Sequence, residues 1–442
     1  MARISELSDD LLIKILSFLP TKIAVSTSIF SKQWRFLWLW LPKLEYDDFN
    51  ITTGPLSSFL SYRDFIDKNL PLHRAPAMES LLFRCHVLGL LQADDINRWV
   101  EIAVSRLLRE LSISYFRFVE KPSDVLSLPS SLYTCDSLVT LKLRGKNVAV
   151  DVPQTVCLPS LKNLQLQCVT YSNGGSLGLL LSHCPVLEDL LVERDDDSDN
   201  RRAVIVNVPS LQRLSLRIGR ECSSDGYVLI TPSVKYFKFE DYRGVYSIFL
   251  VEPMPKLEEA DIYVMQGFNK FLESIISVKR LSLRVIRNSP ITSSGIVFSQ
   301  LEHLKLCICS DNWSKLLVWL LRKSPKLRVL NLYVDQRYRH YMEYEPVDWE
   351  NEHISVPECL LRSLETFEFK DYMGTQEEIY FLSFFFKHAS CLTSTSVIDR
   401  ETQLGPSPSP GSKTVLLSTK LCLKVTWMET KLCDSNTFSG TL

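Results

Sequence analysis

The segment Leu138-Val139-Thr140-Leu141-Lys142-Leu143 has apolar residues at its first, fourth and sixth positions. Side chains alternate between the two faces of a β-strand, so Leu141 and Leu143 point to the same side of a short strand. The same spacing recurs along the chain, and between Leu138 and Leu257 its starts lie 23 to 26 residues apart. A period in the twenties with this pattern is the signature of leucine-rich repeats.

Twelve such apolar triads run from Met78 to Phe369. A single repeat cannot bury its apolar face alone, and neighbouring repeats therefore stack to form one core. We predict leucine-rich repeats over residues 78–350, each with a short strand and a returning segment. The triads are Met78-Leu81-Phe83, Leu108-Leu111-Ile113, Leu138-Leu141-Leu143, Leu161-Leu164-Leu166, Leu187-Leu190-Val192, Leu211-Leu214-Leu216, Val234-Phe237-Phe239, Leu257-Ala260-Ile262, Val278-Leu281-Leu283, Leu301-Leu304-Leu306, Leu327-Leu330-Leu332 and Leu364-Phe367-Phe369.

The residues between the apolar strand positions are predicted to line the concave side of the repeats, the side with which repeat proteins bind partners. Many of them are charged, with both signs interspersed. The charges either pair across neighbouring strands on a solvated face or recognise a partner by charge complementarity. We favour the second interpretation for the surface as a whole. The candidate target-binding residues are Arg213, Arg217, Lys238, Glu259, Asp261, Arg280 and Arg284.

A different pattern fills the first forty residues, beginning with Leu7-Ser8-Asp9-Asp10-Leu11-Leu12-Ile13-Lys14-Ile15-Leu16-Ser17-Phe18-Leu19-Pro20. Apolar residues recur there at helical spacing. Ser8 is placed to cap a helix that Pro20 ends, and Thr21 and Ser31 are placed to cap two further helices. So short a segment cannot bury all of its apolar side chains, and the excess must face the rest of the chain or another protein.

This stretch, followed by Ser31-Lys32-Gln33-Trp34-Arg35 and Leu37, resembles an F-box, and the later chain resembles the plant F-box/FBD/LRR-repeat family. The resemblance implies an α/β fold: an N-terminal three-helix F-box over residues 1–48, then a leucine-rich-repeat solenoid with an FBD-like C-terminal cap. It implies that the F-box docks on a Skp-type adaptor. The residues that match the family's adaptor-binding surface are Leu7, Leu11, Leu12, Ile15, Leu16, Leu19, Pro20, Val25 and Trp34.

The function implied by the resemblance is that of the substrate-recognition subunit of an SCF-type (cullin-RING) ubiquitin ligase. The adaptor links the chain to a cullin, and the repeats hold a protein target whose identity the sequence does not give. This subunit would contribute proximity between the target and the partner enzyme, without catalysis of its own. An alternative is that the N-terminal helices only cap the repeats.

Two positions depart from the family's F-box pattern. Ser8 stands where the family usually has proline, and Gln33 stands where it has a second basic residue. Losing about two buried methylenes of the proline ring costs about 1.5 kcal/mol, or on the order of tenfold in adaptor affinity. Ser8 therefore keeps open a second hypothesis, that the chain is a non-ligase leucine-rich-repeat scaffold with a decayed F-box.

Three further segments complete the domain prediction. Residues 49–77 are predicted to hold a connecting helix that fixes the F-box against the repeats. Residues 351–398 resemble a truncated FBD cap, and residues 399–442 do not match the family. Because Gly405 to Ser412 has the composition of a flexible linker, the last segment is predicted to be a flexible tail.

Composition argues against several other classes of partner. Charged residues make up 23% of the 442-residue chain and the net charge is −1, which points to neither a nucleic-acid nor an anionic-membrane partner. No stretch reads as a transmembrane helix or a signal peptide. The sequence therefore favours the cytoplasm or the nucleus, without deciding between them.

Candidate chemistry is sparse, since the chain has no nucleophile elbow, phosphate loop or dinucleotide fingerprint. Most of the 12 cysteines stand singly, and Cys307-Ile308-Cys309 is the one close pair. A zinc site needs a second pair at suitable spacing, so we predict buried core thiols, no metal and no cofactor. A cysteine-dependent hydrolase is a remote alternative that requires a Cys and a His to converge in a pocket.

Overall fold

A computed structural model describes residues 4, 7–48, 56–85, 92–116, 125–195, 203–222, 226–244, 248–286, 295–309, 313–335, 347, 349, 355–399 and 415–418. The chain divides into two compact units. The first comprises Met1–Ser233 with Ser247–Glu252, and the second comprises Val234–Tyr246 with Pro253–Leu442. No helix in the described ranges combines the length and the apolar character needed to cross a membrane.

Helices account for a minority of the described residues. The helices of the first unit are α1 (Asp9–Leu16), α2 (Thr21–Ser26), α3 (Leu56–Asn69), α4 (Ala93–Val104) and α5 (Ser176–Ser182). The helices of the second unit are α6 (Trp313–Lys323), α7 (Glu358–Arg362) and α8 (Gln376–His388).

Parallel strands dominate the first unit. They are β1 (Lys43–Asp47), β2 (Ser80–Cys85), β3 (Glu110–Tyr115), β4 (Leu126–Ser127), β5 (Thr140–Arg144), β6 (Val148–Val150), β7 (Asn163–Gln167), β8 (Thr170–Tyr171), β9 (Asp189–Arg194), β10 (Val204–Asn207), β11 (Arg213–Ile218), β12 (Gly226–Ile230) and β14 (Ile248–Val251). Strands β1, β2, β3, β5, β7, β9 and β11 pair in that order. The remaining strands form two three-stranded sheets, β4-β6-β8 and β10-β12-β14.

The second unit repeats this arrangement. Its strands are β13 (Tyr236–Asp241), β15 (Glu259–Val264), β16 (Arg280–Val285), β17 (His303–Cys307), β18 (Val329–Tyr333), β19 (Thr366–Tyr372), β20 (Ser394–Asp399) and β21 (Val415–Ser418). The strands from β13 to β20 pair in chain order and in parallel. Parallel neighbours that follow chain order are what a stack of repeats with one strand each produces.

The apolar triads form the core of both units. Every residue of the twelve triads is buried, each at most 2% exposed, including Ala260, the smallest of them. Within each strand, the residues between the triad positions are intermediate or exposed, as in the alternating pattern of β5 and β7. The repeat prediction is therefore confirmed at the level of strand position and side-chain direction.

The N-terminal segment is joined to the repeats by backbone pairing. Strand β1 lies parallel to β2, so the end of the first forty-odd residues supplies the first strand of the sheet. Three aromatic rings also connect the N-terminal segment to the first repeats. Tyr46 stacks on Phe83, and Phe83 stacks on Trp99, each at 5.5 Å between ring centroids. The N-terminal segment and the first repeats consequently share one core.

Helix α3 is held against α4 by charged side chains. Arg63 donates to the buried Asp95 carboxylate at 2.7 Å, and Arg98 donates to both Asp95 and Asp67. The Trp99 indole N–H also donates to Asp67, at 2.7 Å. The segment predicted as a connector thus packs on the first repeat through a shared polar network.

The helix ends of the first forty residues differ in detail from the prediction. Ser8 is the N-cap of α1, but its side chain makes no capping hydrogen bond. Helix α1 ends at Leu16, and Pro20 is the N-cap of α2, with Thr21 as its first residue and its hydroxyl oxygen accepting from the Glu45 N–H. The third helix is a 3₁₀ segment over Trp34–Trp40, whose first N–H donates to the Ser31 hydroxyl oxygen.

One strand of the second unit lies within the C-terminal segment 399–442. Strand β21, Val415–Ser418, pairs antiparallel with β20, so four residues of the segment predicted to be flexible extend the sheet. A parallel partner needs a long crossover, whereas an antiparallel strand needs only a reversal of the chain. Residues 400–414 and 419–442 lie outside the described residues.

Candidate adaptor-binding and target-binding surfaces

The N-terminal helices expose an apolar face formed by Leu11, Ile15, Phe18, Leu19 and Ile23. Leu11 and Ile15 lie one turn apart on α1, and 50% of Leu11 is exposed. Phe18, directly after the helix, is 79% exposed. Contiguous exposed apolar side chains on a folded domain mark an interaction surface, because monomers rarely leave such patches in water.

The nine predicted adaptor-binding residues fall into two groups. Leu12, Leu16 and Trp34 are buried, so they lie in the core beneath the apolar face and have little surface with which to touch a partner. The reason is geometric, since they point into the packing between α1 and the 3₁₀ segment. The accessible residues are Leu7, Leu11, Ile15, Leu19, Pro20 and Val25, of which Leu7 and Val25 are half-buried.

Several exposed apolar residues near this face were not singled out from the sequence. Ile29 is 83% exposed, and the ring of its neighbour Phe30 packs edge-on against Trp34 at 6.1 Å. Phe36 and Trp40 project from the 3₁₀ segment. The available signal was the excess of apolar residues in the segment, but only the fold shows which of them the core leaves out.

Gln33 connects the 3₁₀ segment to the beginning of α1. Its side-chain amide donates to the Leu7 carbonyl oxygen at 3.3 Å and to an Asp9 carboxylate oxygen at 3.0 Å. Gln33 stands at the position where the related pattern has a basic residue. Its amide supplies the N–H groups that this contact uses, without the positive charge.

The candidate target-binding residues of the first unit are engaged in ion pairs across neighbouring strands. Arg213 on β11 contacts Asp189 on β9 at 3.2 Å, and Arg217 contacts Glu193 four residues further along the same pair of strands. Burial raises the pKa of the Asp189 carboxyl, which the charge of Arg213 opposes. These contacts correspond to the first interpretation of the strand charges, pairing on a solvated face.

The second unit shows the same pairing. Arg280 on β16 forms a two-nitrogen contact with Glu259 on β15, at 2.9 and 3.1 Å, and Lys238 contacts Glu240 on its own strand at 3.1 Å. The Lys238 ammonium also lies near the Asp261 carboxylate. Most charges on this surface are therefore paired with each other. Recognition of a target would depend on the positions of these charges more than on the net charge of the surface.

Arg284 differs from the other strand-face cations because it is enclosed. Its guanidinium lies over the rings of Tyr263 and Tyr333, at 5.3 and 5.7 Å from their centroids. It donates to the Tyr333 hydroxyl oxygen at 3.3 Å and forms an ion pair with Asp335 at 2.9 Å. Arg284 on β16 thus contacts residues of both β15 and β18, and little of its side chain is accessible to a partner.

One group of three possible metal ligands occurs within the described ranges: Cys168, Glu193 and Asp195, with ligand atoms within 4.8 Å of one another. Cys168 donates to Asp195 at 3.2 Å, and Glu193 accepts from Gln167 and Arg217. Burial and the hydrogen bond to Asp195 raise the pKa of the Cys168 thiol to about 12. Because a metal binds the thiolate, this protonated and internally bonded group does not support a metal site.

The histidines in the described ranges do not pair with cysteine. His183 lies against the Leu179 carbonyl oxygen and the Ser182 hydroxyl, and His303 lies against the Asn331 side chain. His73 contacts the Leu41 carbonyl oxygen. The described residues therefore give the cysteine-hydrolase hypothesis no support.

Fold and surface together define a leucine-rich-repeat protein of the α/β class with an N-terminal helical module that exposes an apolar face. Family comparisons agree with each part. The F-box domain matches residues 4–46, the LRR repeats of the FBD-associated F-box protein At5g56370 match residues 96–237, and the FBD domain matches residues 351–397.

Relatives along most of the chain come from Arabidopsis thaliana. The chain is 54% identical to FBD-associated F-box protein At5g60610, with 90% of this chain and 100% of the relative covered. It is 60% identical to putative FBD-associated F-box protein At5g56700, with 90% and 98% covered. It is 47% identical to putative F-box/FBD/LRR-repeat protein At5g62970, with 85% and 88% covered. The chain belongs to the plant F-box/FBD/LRR-repeat family.

Proposed function

We propose that this F-box protein is the substrate-recognition subunit of an SCF-type ubiquitin ligase. The apolar face carries the proposal, because Leu11, Ile15, Phe18 and Leu19 expose apolar area that a partner protein would cover. F-box domains in general bind Skp-type adaptors, which in turn bind a cullin. The buried residues Leu12, Leu16 and Trp34 would shape this face from beneath.

The repeats and the FBD segment would form one solenoid that holds the protein target. We keep the proposed boundaries: F-box 1–48, connector 49–77, repeats 78–350, FBD-like cap 351–398 and tail 399–442. The contact of α3 with α4 supports a fixed geometry between adaptor and repeats, since Asp95 is buried between two arginines. A fixed geometry holds a bound target at a defined distance from the partner enzyme, which performs the transfer.

Target recognition is proposed at the exposed strand residues, including Arg213, Arg217, Lys238, Glu259, Asp261 and Arg280. Arg284 is proposed to act there mainly by fixing Tyr333. A charged side chain of the target would compete with one partner of each ion pair for the other. These strand charges therefore contribute more to specificity than to affinity. The target is expected to be a protein and not a nucleic acid.

The test is co-expression of the full chain with a Skp-type adaptor, followed by a pull-down. Wild type should be captured, and Leu11→Asp and Ile15→Asp should reduce capture at least tenfold, because each places a charge in an apolar interface. Leu361→Asp is the matched control, since Leu361 is similarly exposed but lies in the FBD segment. Equal thermal unfolding of the three variants would show that the fold is intact.

Ser8→Pro separates the two hypotheses. If wild type is captured and Ser8→Pro is captured more strongly, the F-box is functional and Ser8 merely weakens it. If only Ser8→Pro is captured, the scaffold hypothesis with a decayed F-box is favoured. Loss of capture in every form would refute the ligase proposal.

A further inference from the structure

Lys305, in the middle of β17, differs from the other cations on the strand face of the second unit. We use strand face for the residues of β13 and β15–β20 that lie between the buried triad positions. Four of its cations contact a carboxylate: Lys238 with Glu240, Arg280 with Glu259, Arg284 with Asp335, and Lys370 with Glu368. Lys305 is exposed, and it forms no ion pair with any residue in the described ranges.

The register of the sheet explains why Lys305 has no acidic partner there. Its neighbours in register are Ser282 on β16 and Asn331 on β18, and both are uncharged. The next residues of the same cross-strand row are Asp261 and Glu368, each two strands from β17. Neighbouring strands lie about 4.8 Å apart, so the backbones of these acidic residues lie about 10 Å from Lys305, roughly one Debye length at physiological salt.

An aromatic ring positions the Lys305 ammonium without neutralising it. The Nζ atom lies 5.0 Å from the centroid of the Tyr333 ring, within the range of cation–π attraction. Tyr333 is itself held by Arg284, which donates to its hydroxyl oxygen at 3.3 Å. Because the ring has no net charge, the positive charge of Lys305 remains available to a ligand. The contact also restricts the lysine side chain before binding, which reduces the entropy lost in a complex.

Uncharged hydrogen-bond donors lie on both sides of Lys305. The Ser282 hydroxyl and the Asn331 amide are on the same face of the sheet, because residues in register on neighbouring strands share a face. One N–H of the Asn331 amide donates to His303 Nε2 at 3.1 Å, and the second N–H has no partner among the described residues. An ammonium between a hydroxyl and an amide is a donor set that suits a carboxylate or a phosphate group.

We propose that Lys305, with Ser282 and Asn331 beside it, binds an anionic side chain of the target protein, a carboxylate or a phosphate. The inference rests on the proposed role of the strand face in target recognition, and it adds the chemistry of the group that is recognised. Charge complementarity favours an acidic group over a neutral or basic one, because no described residue compensates the charge of Lys305. An anion bound there displaces no existing ion pair.

The test uses the purified full chain and immobilised pools of short peptides, randomised except for one fixed central residue. The fixed residue is aspartate, glutamate, phosphoserine, serine or lysine. We expect the pools with an acidic centre to retain about fivefold more protein than the serine pool, the size of effect that one exposed charge pair gives. Stronger retention by phosphoserine than by aspartate and glutamate would identify a phosphate as the preferred anion, and the reverse order would identify a carboxylate.

Variants at one position make the test specific. Lys305→Gln should remove the preference for an acidic centre, Lys305→Glu should shift it toward the lysine pool, and Lys305→Arg should keep it. Lys315→Glu is the matched control, because it makes the same charge change at an exposed position of α6, and it should behave as wild type. Equal thermal unfolding of the variants would show that the fold is intact.

Two results overturn the proposal: a wild type with no preference for an acidic centre, or a folded Lys305→Gln that retains the preference. Adaptor capture is measured on the same preparations and should be equal in wild type and Lys305→Gln, because Lys305 lies outside the F-box segment. Loss of adaptor capture in wild type would refute the ligase role alone, since the peptide preference is measured without the adaptor.

Discussion

At the scale of single residues, Ser8 is the position where the chain departs from the usual F-box pattern, and its backbone already suits proline. Ser8 has φ −64°, close to the value that a proline ring imposes. Its N–H donates no hydrogen bond within the described residues, and its hydroxyl does not cap α1. The departure from the family pattern is therefore one of side chain and not of conformation.

We predict that Ser8→Pro raises the free energy of unfolding by about 0.4–1 kcal/mol, because proline restricts the unfolded chain at no cost to the fold. Urea denaturation of the full chain measures it. Ser17→Pro is the matched control, since Ser17 has φ −66° but its N–H donates to the Ile13 carbonyl oxygen at 2.9 Å. Ser17→Pro should destabilise by about 3 kcal/mol. A destabilising Ser8→Pro would contradict the prediction.

His73 is buried where the N-terminal module meets the first repeat. One ring nitrogen contacts the Leu41 carbonyl oxygen at 2.8 Å, and because a carbonyl only accepts, that nitrogen carries the proton. The other nitrogen, Nδ1, is buried without a hydrogen-bond partner. Burial lowers the pKa of His73, and the charge of Arg106 lowers it further.

The consequence is a loss of stability at mildly acidic pH. Below about 6.5 the unfolded chain binds a proton at His73 that the folded chain resists, so stability falls as the pH drops from 6.5 toward the lower folded-state pKa. The slope for one group is at most about 1.4 kcal/mol per pH unit. Unfolding measured between pH 5 and 8 should show a flatter profile for His73→Gln. A His73→Gln profile as steep as that of wild type would contradict the prediction.

At the scale of elements, helix α8 of the FBD segment begins with a reciprocal cap. The Glu378 carboxylate accepts from the Thr375 N–H at 2.9 Å and from the Met373 N–H at 3.2 Å, while the Thr375 hydroxyl oxygen accepts from the Glu378 N–H. Burial raises the pKa of Glu378, and those backbone donors oppose the rise. The carboxylate thus satisfies N–H groups that the helix end leaves unpaired.

We predict that Thr375→Ala costs about 1 kcal/mol and Glu378→Ala about 1–3 kcal/mol, since the second leaves buried donors without an acceptor. Equilibrium unfolding gives both values. Glu358→Ala in the first turn of α7 is the control, because its contact with Arg362 is exposed and should contribute about 0.5 kcal/mol or less. If Glu358→Ala cost as much as Glu378→Ala, the cap would not be the cause.

The contact between α3 and α4 rests on Asp95. Its buried carboxylate accepts from Arg63, Arg98 and the Gln92 N–H. We predict that Asp95→Ala destabilises by on the order of 3 kcal/mol, because the two cations and the helix end lose their shared partner. Asp94→Ala, at the exposed neighbouring position, should change stability by about 0.5 kcal/mol or less. Similar losses in both variants would argue against a specific role for Asp95.

At the scale of the whole molecule, the strand charges occur as neighbouring pairs in each unit. For the exposed pair Glu259 and Arg280, a double-mutant cycle should give a coupling energy of about 0.2–1 kcal/mol. Arg284→Ala should cost on the order of 2–3 kcal/mol, because it removes two ring contacts and the ion pair with the nearly buried Asp335. Equal costs for Arg280→Ala and Arg284→Ala would contradict the distinction between exposed and enclosed cations.

The repeats could be predicted from the sequence because each carries its own signal. Leu138, Leu141 and Leu143 are placed by a spacing that depends only on strand geometry, and all three are buried as expected. The same reasoning could not predict which of the adaptor-binding residues are exposed. Helical spacing puts Leu11, Leu12, Ile15 and Leu16 on one wide apolar side, and it does not distinguish the residues facing the core from those facing water.

The sequence by itself determined that the chain is an F-box protein with leucine-rich repeats and an FBD segment, because apolar spacing and local motifs are properties of contiguous residues. Only the tertiary structure decided that Leu12, Leu16 and Trp34 are core and that Arg284 is enclosed by Tyr263 and Tyr333. These features depend on residues distant in sequence that the stacking of repeats brings together. Spacing along the chain does not indicate which residues these side chains contact.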